Sequence, residues 1–192
     1  MFIWMLWYGC SGGGENPEDT AIPRFDVPEG LFEITSYSVN ESGCEEPGED
    51  RVLELTEPYM FFLSVTLMEE EYVTAYSCAS EDNCVEKQDA IDSNEPFSMA
   101  LTYTFSENEG EDRMSGVTQT TGWSMGDGTC SAPERRDLLL TSSAETLTIR
   151  NAITTGEDYL ADEDGYCTSD AAAIACQDMP CTQLETVILR PM

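Results

Sequence analysis

Residues 97–105 alternate between bulky apolar side chains and small or hydroxylated ones, and this pattern limits the fold of the chain most strongly. The bulky positions are two residues apart and are occupied by Phe97, Met99, Leu101, Tyr103 and Phe105. Successive side chains of a β-strand point to opposite faces of the sheet, whereas a helix would spread this set around its surface. The segment therefore predicts a strand with one face buried in a core.

Seven further segments have the length and composition of strands. They are rich in β-branched, aromatic or threonine residues and are separated by acidic or glycine-containing turns: residues 31–39, 59–68, 72–78, 116–124, 136–142, 146–151 and 182–190. In residues 31–39 the apolar side chains change from even-numbered to odd-numbered positions, which predicts a β-bulge near Thr35 and Ser36. Residues 136–142 and 146–151 are expected to pair as a hairpin across a short polar turn.

One helix is predicted, over residues 169–176. Thr168 or Ser169 can cap it, Asp170 favours its first turn, and three consecutive alanines support it. The expected fold is an all-β antiparallel meander of eight or nine strands, with this short helix before the last strand. The sheet should close into a barrel or fold into a β-sandwich, because an open sheet of that length leaves two exposed edges.

The chain has eight cysteines and no histidine, a composition that favours disulfides over a zinc site. Cys78 and Cys84 flank a short polar segment and are expected to pair with each other. The pairing of the others is left open by the sequence: Cys44, Cys130, Cys167, Cys176 and Cys181. A metal site made of cysteines alone, from Cys167, Cys176 and Cys181, is the weaker alternative, because an oxidising compartment favours bridges.

The charge is strongly unbalanced, with 38 acidic residues against 8 basic ones. Such a surface repels nucleic acids and anionic lipid head groups, which are therefore not expected as partners. The acidic runs fall between the apolar segments and not within them. This partition indicates a folded domain with charged connections, not a disordered chain.

The first nine residues are uncharged and almost entirely apolar, and Gly9-Cys10 ends the run. Their number is too small to span a bilayer and fits the core of an export signal. Trp7-Tyr8-Gly9-Cys10 resembles the cleavage box of bacterial lipoproteins, which implies that Cys10 carries a lipid. The expected organisation is a signal peptide at 1–9, a flexible acidic tether at 10–29 and one barrel domain at 30–192. With Cys10 lipidated, one of the remaining seven cysteines stays unpaired.

A second resemblance concerns the barrel. Gly30-Leu31-Phe32 resembles the Gly-x-Trp element that opens the first strand of lipocalin-like (calycin) barrels, with Phe32 in the place of Trp. Arg190 lies in the last strand, where those barrels often carry a basic residue over that ring. The whole layout is similar to uncharacterised lipoproteins of myxobacteria, a likeness that implies a lipid-anchored envelope protein, with the outer membrane as the expected site, and carries no known activity.

The sequence contains no recognisable catalytic pattern. Without histidine, Ser-His-Asp and Cys-His arrangements are excluded, and no phosphate-binding or dinucleotide-binding glycine motif is found. Asp162-Glu-Asp164-Gly165 matches the middle of an EF-hand loop, but Leu160 and Ala171 stand at its first and last ligand positions. Asp162 and Asp164 are therefore only weak candidates for a metal site. No cofactor is expected.

The sequence favours a non-enzymatic envelope lipoprotein that works as a binding or interaction module. Its membrane partner would be reached through the lipid on Cys10, and its other partner would be an envelope protein or a small apolar ligand. In the second case the bulky face of residues 97–105 would line a hollow barrel, although small barrels are commonly filled by their own side chains. A hydrolase that uses paired carboxylates on carbohydrate is the remaining alternative.

Overall fold

The computed structural model describes residues 25–26, 30–45, 48–67, 70–93, 95–96, 98, 100–143 and 145–192, and for 65–67 and 70–71 it describes the backbone only. Cys10, the signal peptide, Phe97, Met99 and most of the tether lie outside these residues. The described chain forms twelve strands: β1 (Leu31–Asn40), β2 (Glu49–Asp50), β3 (Tyr59–Leu67), β4 (Glu70–Cys78), β5 (Thr102–Phe105), β6 (Glu107–Gly110), β7 (Arg113–Thr120), β8 (Thr129–Cys130), β9 (Glu134–Ser142), β10 (Leu147–Thr155), β11 (Tyr159–Leu160) and β12 (Gln183–Pro191). The two α-helices are α1 (Glu81–Asp92) and α2 (Ser169–Cys176).

Nine strands follow one another in an antiparallel sheet in the order β5-β4-β3-β1-β12-β10-β9-β7-β6, and β2 joins the sheet as a tenth strand by pairing with β1. The sheet nearly closes on itself because β5 and β6 are consecutive halves of one extended segment, interrupted only at Ser106. The first half pairs with β4 and the second half pairs with β7. The Ser106 N–H donates to the carbonyl of Ser115 at 2.9 Å, which continues the ladder across the interruption. The predicted all-β meander is confirmed, and it is barrel-like.

Gly116 on β7 permits this closure. An added Cβ there would lie 2.4 Å from the carbonyl oxygen of Thr104 and 3.0 Å from Cα of Phe105. Both contacts are with backbone, which cannot move aside as a flexible side chain can. A residue without a side chain is therefore required where β5 passes close to β7.

The bulge predicted in the first strand is confirmed. The register between β1 and β12 shifts between Ile34 and Ser36. Ile34 lies opposite Leu189 before the shift, and Tyr37 lies opposite Val187 after it. The extra residue keeps both apolar sets on the inward face.

The core lies inside the barrel and is built from the inward positions of its strands. The largest fully buried members are Phe105, Met60, Leu140, Ile149 and Leu189. Phe25, which falls within the predicted tether, is 4% exposed and belongs to this core. Its N–H donates to Oδ1 of Asn108 at 3.0 Å. The packing of the domain thus includes a residue that precedes Gly30.

Helix α1 was not predicted. It starts within the polar segment between Cys78 and Cys84 and packs on the outer face of the barrel, where Phe61, Cys78 and Cys84 form a second small core. The Ser80 side chain caps it by accepting from the Asn83 N–H at 3.2 Å. Its apolar residues are too few to show a helical period in the sequence.

A buried ion pair fastens α1 to the end of the sheet. Lys87, the only lysine of the chain, donates to Oε1 of Glu57 at 2.6 Å and to the carbonyl of Ser77 at 2.8 Å. Glu57 also accepts from the Ser77 hydroxyl and from the Ala100 N–H at 2.8 Å. Burial would raise the pKa of Glu57, but these three hydrogen bonds outweigh it, and the pKa lies below its ordinary value of 4.5.

Three disulfides staple the domain, and they join Cys44 to Cys181, Cys78 to Cys84, and Cys130 to Cys167. Cys78 and Cys84 are the pair favoured by their spacing. Among the described residues Cys176 is the free thiol, buried at the end of α2. Helix α2 has the predicted bounds, and Thr168 caps it through the Ala171 N–H.

Several segments differ from the sequence analysis, among them the strand predicted at 116–124, which forms as β7 over Arg113–Thr120. Within the described part of the strand predicted at 97–105, Thr102–Phe105 form β5 and Ala100 lies in a bend. The acidic stretch after it, expected to be a loop, contains β6, because its backbone completes the barrel against β7. Strand pairing overrides local composition at this position.

Candidate binding site at the open end of the barrel

The barrel is open at the end where β7 finishes and β9 begins. The register places Thr118 opposite Arg136 and Thr120 opposite Glu134, all on the inward face. Both threonines are nevertheless exposed to solvent. At the other end of the barrel the inward positions hold Met114, Leu140 and Leu147, which are buried. The interior is therefore apolar at one end and polar at the other.

The interior near the open end contains a polar cluster, formed by Tyr37, Tyr103, Arg136, Asn151 and Glu185. Alternation along β10 and β12 places Asn151 directly opposite Glu185. Asn151 Nδ2 donates to Oε2 of Glu185 at 2.7 Å, and the Tyr103 hydroxyl lies 3.5 Å from the same oxygen. Gln183 Nε2 donates to the other carboxylate oxygen at 3.2 Å. Donors on three strands thus hold the Glu185 carboxylate.

Asn151 is completely buried, and its Oδ1 has no hydrogen-bond partner among the described residues. A buried acceptor without a partner costs about 1–3 kcal/mol. The side chain offsets part of this cost through its bond to a charged carboxylate. In the sequence, Asn151 stands out as a polar residue at an inward position of β10, where the preceding inward positions hold Leu147 and Ile149.

Burial and the neighbouring charges shift the pKa values of Tyr37, Tyr103 and Arg136 in the polar cluster. Burial and then the negative charge of Glu185 raise the pKa of Tyr103 well above 10. The same two causes raise the pKa of Tyr37. Burial would lower the pKa of Arg136, but its hydrogen bond to Glu134 and the nearby carboxylates outweigh burial and raise the pKa. Both tyrosines are therefore neutral and Arg136 is charged at pH 7.

A groove of about 820 Å³ lies beside this open end, lined by residues 119–123, 131–132, Glu134 and Asp158. We call it the Trp123 groove. Trp123 is 76% exposed and provides its largest apolar surface. Glu134 lines the groove and contacts the polar cluster, because its Oε1 accepts from Arg136 Nε at 2.7 Å. The Trp123 groove and the polar cluster are thus linked by one ion pair.

The loop that carries Trp123 is held by two hydrogen bonds between the main chain of Trp123 and Ser131. The Trp123 N–H donates to Oγ of Ser131 at 3.0 Å, and the Ser131 N–H donates back to the Trp123 carbonyl at 3.0 Å. Gly122 has a φ of +68°, and a Cβ there would lie 2.2 Å from the Ser131 carbonyl oxygen. Only glycine fits this close approach. The indole is therefore presented from a fixed backbone.

The opposite wall is fixed in the same way. Asp158 Oδ1 accepts from the Ala132 N–H at 2.8 Å. The Tyr159 hydroxyl donates to the carbonyl of Thr121, which joins the two walls of the groove. Strand β11 also pairs with β8, and a disulfide joins Cys130 of β8 to Cys167. The site is preorganised, which lowers the entropic cost of binding.

The face predicted to line a ligand cavity or a core lies in the core as far as it is described. Tyr103 and Phe105 are 2% and 0% exposed, and Leu101 is partly buried against the same cluster. Phe97 and Met99 lie outside the described residues. The Tyr103 hydroxyl is also part of the polar cluster through its contact with Glu185, which the sequence did not indicate.

Asp162 and Asp164 form a local turn. Oδ1 of Asp162 accepts from the Asp164 N–H at 3.1 Å and from the Tyr166 N–H at 2.7 Å. These bonds shape an Asx-type turn before Cys167. Within the described part of the chain, no three cysteine, aspartate or glutamate side chains converge to hold a metal ion.

No protein-family model matches the chain, and neither a curated protein nor a solved structure is significantly similar to it. The lipoprotein and lipocalin-like resemblances therefore stay predictions. In the described ranges, no helix has the length and apolar character needed to cross a membrane.

Proposed function

We propose that this chain is a cell-envelope lipoprotein, held at the membrane by a lipid on Cys10, whose barrel is a non-enzymatic binding module. The observation that carries the binding role is the Trp123 groove. It combines a large exposed aromatic side chain, polar walls and a backbone fixed by a disulfide and by close main-chain contacts. Preorganised concave sites with aromatic anchors are typical of binding surfaces.

The packing of the barrel supports this surface role over transport of an apolar ligand. The inward side chains at the apolar end form one core cluster that includes Met60, Phe105 and Leu140, all essentially unexposed. The open end is polar, with Glu185 and Arg136 facing inward. An apolar ligand entering there would have to desolvate these charged groups.

A carboxylate-based hydrolase is the second candidate, because Glu134 and Asp158 both line the groove. A general acid needs desolvated surroundings that keep it protonated near neutral pH. Asp158 is exposed, and Glu134 is paired with Arg136 and is 35% exposed. These surroundings favour binding over acid catalysis. Release of reducing ends from an oligosaccharide that requires both Glu134 and Asp158 would contradict the non-enzymatic proposal.

The anchor is tested by mass spectrometry of the protein from its native membranes. The expected product begins at Cys10 and carries a diacylglycerol on that residue. A chain that retains Met1, or one with an unmodified Cys10, would contradict the anchor.

The binding role is tested with the full chain carrying Cys10→Ser, so that the lipid does not cause sedimentation. Envelope fragments from the native cells should retain this protein in a centrifugation assay. Trp123→Ala should abolish the retention. Tyr166→Ala is the matched control, because Tyr166 is 70% exposed but does not line the groove. Equal retention of all three proteins would rule out the groove as the binding surface.

A further inference from the structure

The walls of the Trp123 groove combine one flat aromatic ring with an excess of hydrogen-bond acceptors. Trp123 provides the ring. Asp158 Oδ1 accepts a hydrogen bond from the Ala132 N–H. Glu134 Oε1 accepts one from Arg136. The side-chain amide of Gln119 donates to the carbonyl of Ser169. The oxygens left over on these three side chains accept hydrogen bonds and do not donate them. The matching ligand is therefore a donor with an apolar face.

Sugar rings combine these two properties. Their axial C–H bonds form an apolar face that stacks on an indole, and their hydroxyls donate to carboxylate and amide oxygens. Thr120, Thr121 and Ser131 also line the groove and add short polar contacts. The groove volume of about 820 Å³ suits a ligand of more than one ring.

The net charge of the molecule limits which classes of sugar can bind in the groove. The net charge is −30, so uronic, sulfated or phosphorylated polymers are repelled. Among the described residues, Arg136 pairs with Glu134 of the groove wall, which leaves Asp158 as the carboxylate of the walls that has no ion pair. A small ammonium ion would satisfy that charge but would leave most of the groove empty. Neutral sugar rings are compatible with both the net charge of the protein and the volume of the groove.

We infer that the Trp123 groove binds neutral oligosaccharide, with Trp123 as the stacking platform and Asp158 and Glu134 as hydroxyl acceptors. The inference rests on the proposed binding function and names its ligand class. A neutral glycan exposed in the envelope or on a neighbouring cell surface is the corresponding partner.

The chain offers a direct optical probe. Its three tryptophans are Trp4, Trp7 and Trp123, so the full-length protein with Trp4→Phe and Trp7→Phe reports Trp123 alone. We would titrate this protein with chitotriose and maltotriose, with an oligogalacturonate as the anionic probe and with n-butylammonium as the cationic probe. Stacking on a ring removes water from the indole, so its emission should shift to shorter wavelength and saturate.

The expected result is saturable binding of at least one neutral oligosaccharide and no response to the oligogalacturonate. In calorimetry on otherwise wild-type protein, Trp123→Ala should weaken the binding about tenfold or more, whereas Tyr166→Ala should leave it unchanged. Asp158→Asn keeps an oxygen for the Ala132 N–H and should weaken it less than Trp123→Ala does.

The ligand class is overturned if neither neutral oligosaccharide shifts the emission at about 10 mM, or if n-butylammonium binds more tightly. It is also overturned if Trp123→Ala leaves the affinity unchanged. These outcomes are separable from failure of the proposed function. Envelope fragments could still retain the protein through Trp123, in which case only the sugar assignment fails.

Discussion

At the scale of single residues, the pair of Lys87 and Glu57 is the shortest and most buried ion pair among the described residues. The side chains are only 6% and 14% exposed, and Glu57 receives three hydrogen bonds. Removing one partner of such a pair leaves the other charge buried without compensation. Both carboxylate oxygens of Glu57 accept hydrogen bonds, so neither charge of the pair is left without a partner in the folded state.

We predict that Lys87→Met lowers the free energy of unfolding by about 3 kcal/mol. The matched control is Arg51→Met, which breaks the ion pair of Arg51 with Glu41. That pair is 32% and 64% exposed, so solvent screens it and its loss should cost much less than the loss of the buried pair. Urea unfolding followed by circular dichroism measures both. Similar losses for the two variants would contradict the importance of the buried pair.

The lowered pKa of Glu57 makes its contribution depend on pH. A carboxyl whose folded pKa lies below its unfolded value stabilises the fold when it is ionised in both states. The contribution is therefore fully present above about pH 5 and declines as the pH falls below 4.5 towards the folded pKa. The stability difference between wild type and Glu57→Gln should shrink over that range. A difference that stays constant from pH 6 to pH 3 would contradict this assignment.

At the scale of secondary-structure elements, the disulfides close loops of very different lengths. Cys44 and Cys181 are 137 positions apart, and Cys78 and Cys84 are 6 apart. In the loop-entropy model, the longer loop constrains the unfolded chain more strongly. The first bridge joins the end of β1 to the start of β12, so it also fixes the seam between the first and last strands.

We predict that replacing Cys44 and Cys181 by alanine costs about 5 kcal/mol, against about 2 kcal/mol for Cys78 and Cys84. Thermal unfolding of the two double variants measures the order. A larger loss for the short loop would show that α1, which begins beside Cys84, depends on its bridge for more than loop entropy.

The elements differed in how well the sequence predicted them. Strands whose own residues alternate or carry β-branched side chains were predicted, as was α2 with its threonine cap. Strand β6 was missed because its acidic residues fit a loop, and only pairing with β7 makes it a strand. Helix α1 was missed because its mean hydropathy is low and only two of its residues, Cys84 and Lys87, are buried.

The candidate site was largely hidden in the sequence for a related reason. Trp123 and Asp158 are far apart in the chain and meet only because β8 pairs with β11. Asn151 and Glu185 meet only through the register of β10 and β12. A polar residue among the inward, apolar positions of a strand can be recognised in the sequence. The residue that it contacts is known only when the strand order and register are known.

At the scale of the whole molecule, the dominant property is a net charge of −30. Acids lie in nearly every connection of the barrel, without the ligand spacing that a calcium cage requires. Their mutual repulsion acts against the compact state and weakens as salt shortens the Debye length to about 8 Å at physiological ionic strength and about 3 Å at 1 M.

We predict that the melting temperature rises smoothly with sodium chloride. Millimolar calcium should add nothing beyond its effect on ionic strength. A saturable calcium transition at constant ionic strength, lost in Asp162→Ala or Asp164→Ala, would contradict this and would assign a metal site to that turn.

We expect the Trp123 groove to be occupied when the protein is at its place in the envelope. Hydroxyl-radical footprinting with mass spectrometry tests it directly by comparing intact native cells with the purified protein. Oxidation of Trp123 should be strongly reduced on cells, while oxidation of Tyr166, an exposed aromatic outside the groove, should be the same in both samples. Equal oxidation of Trp123 in cells and in the purified protein would contradict the claim.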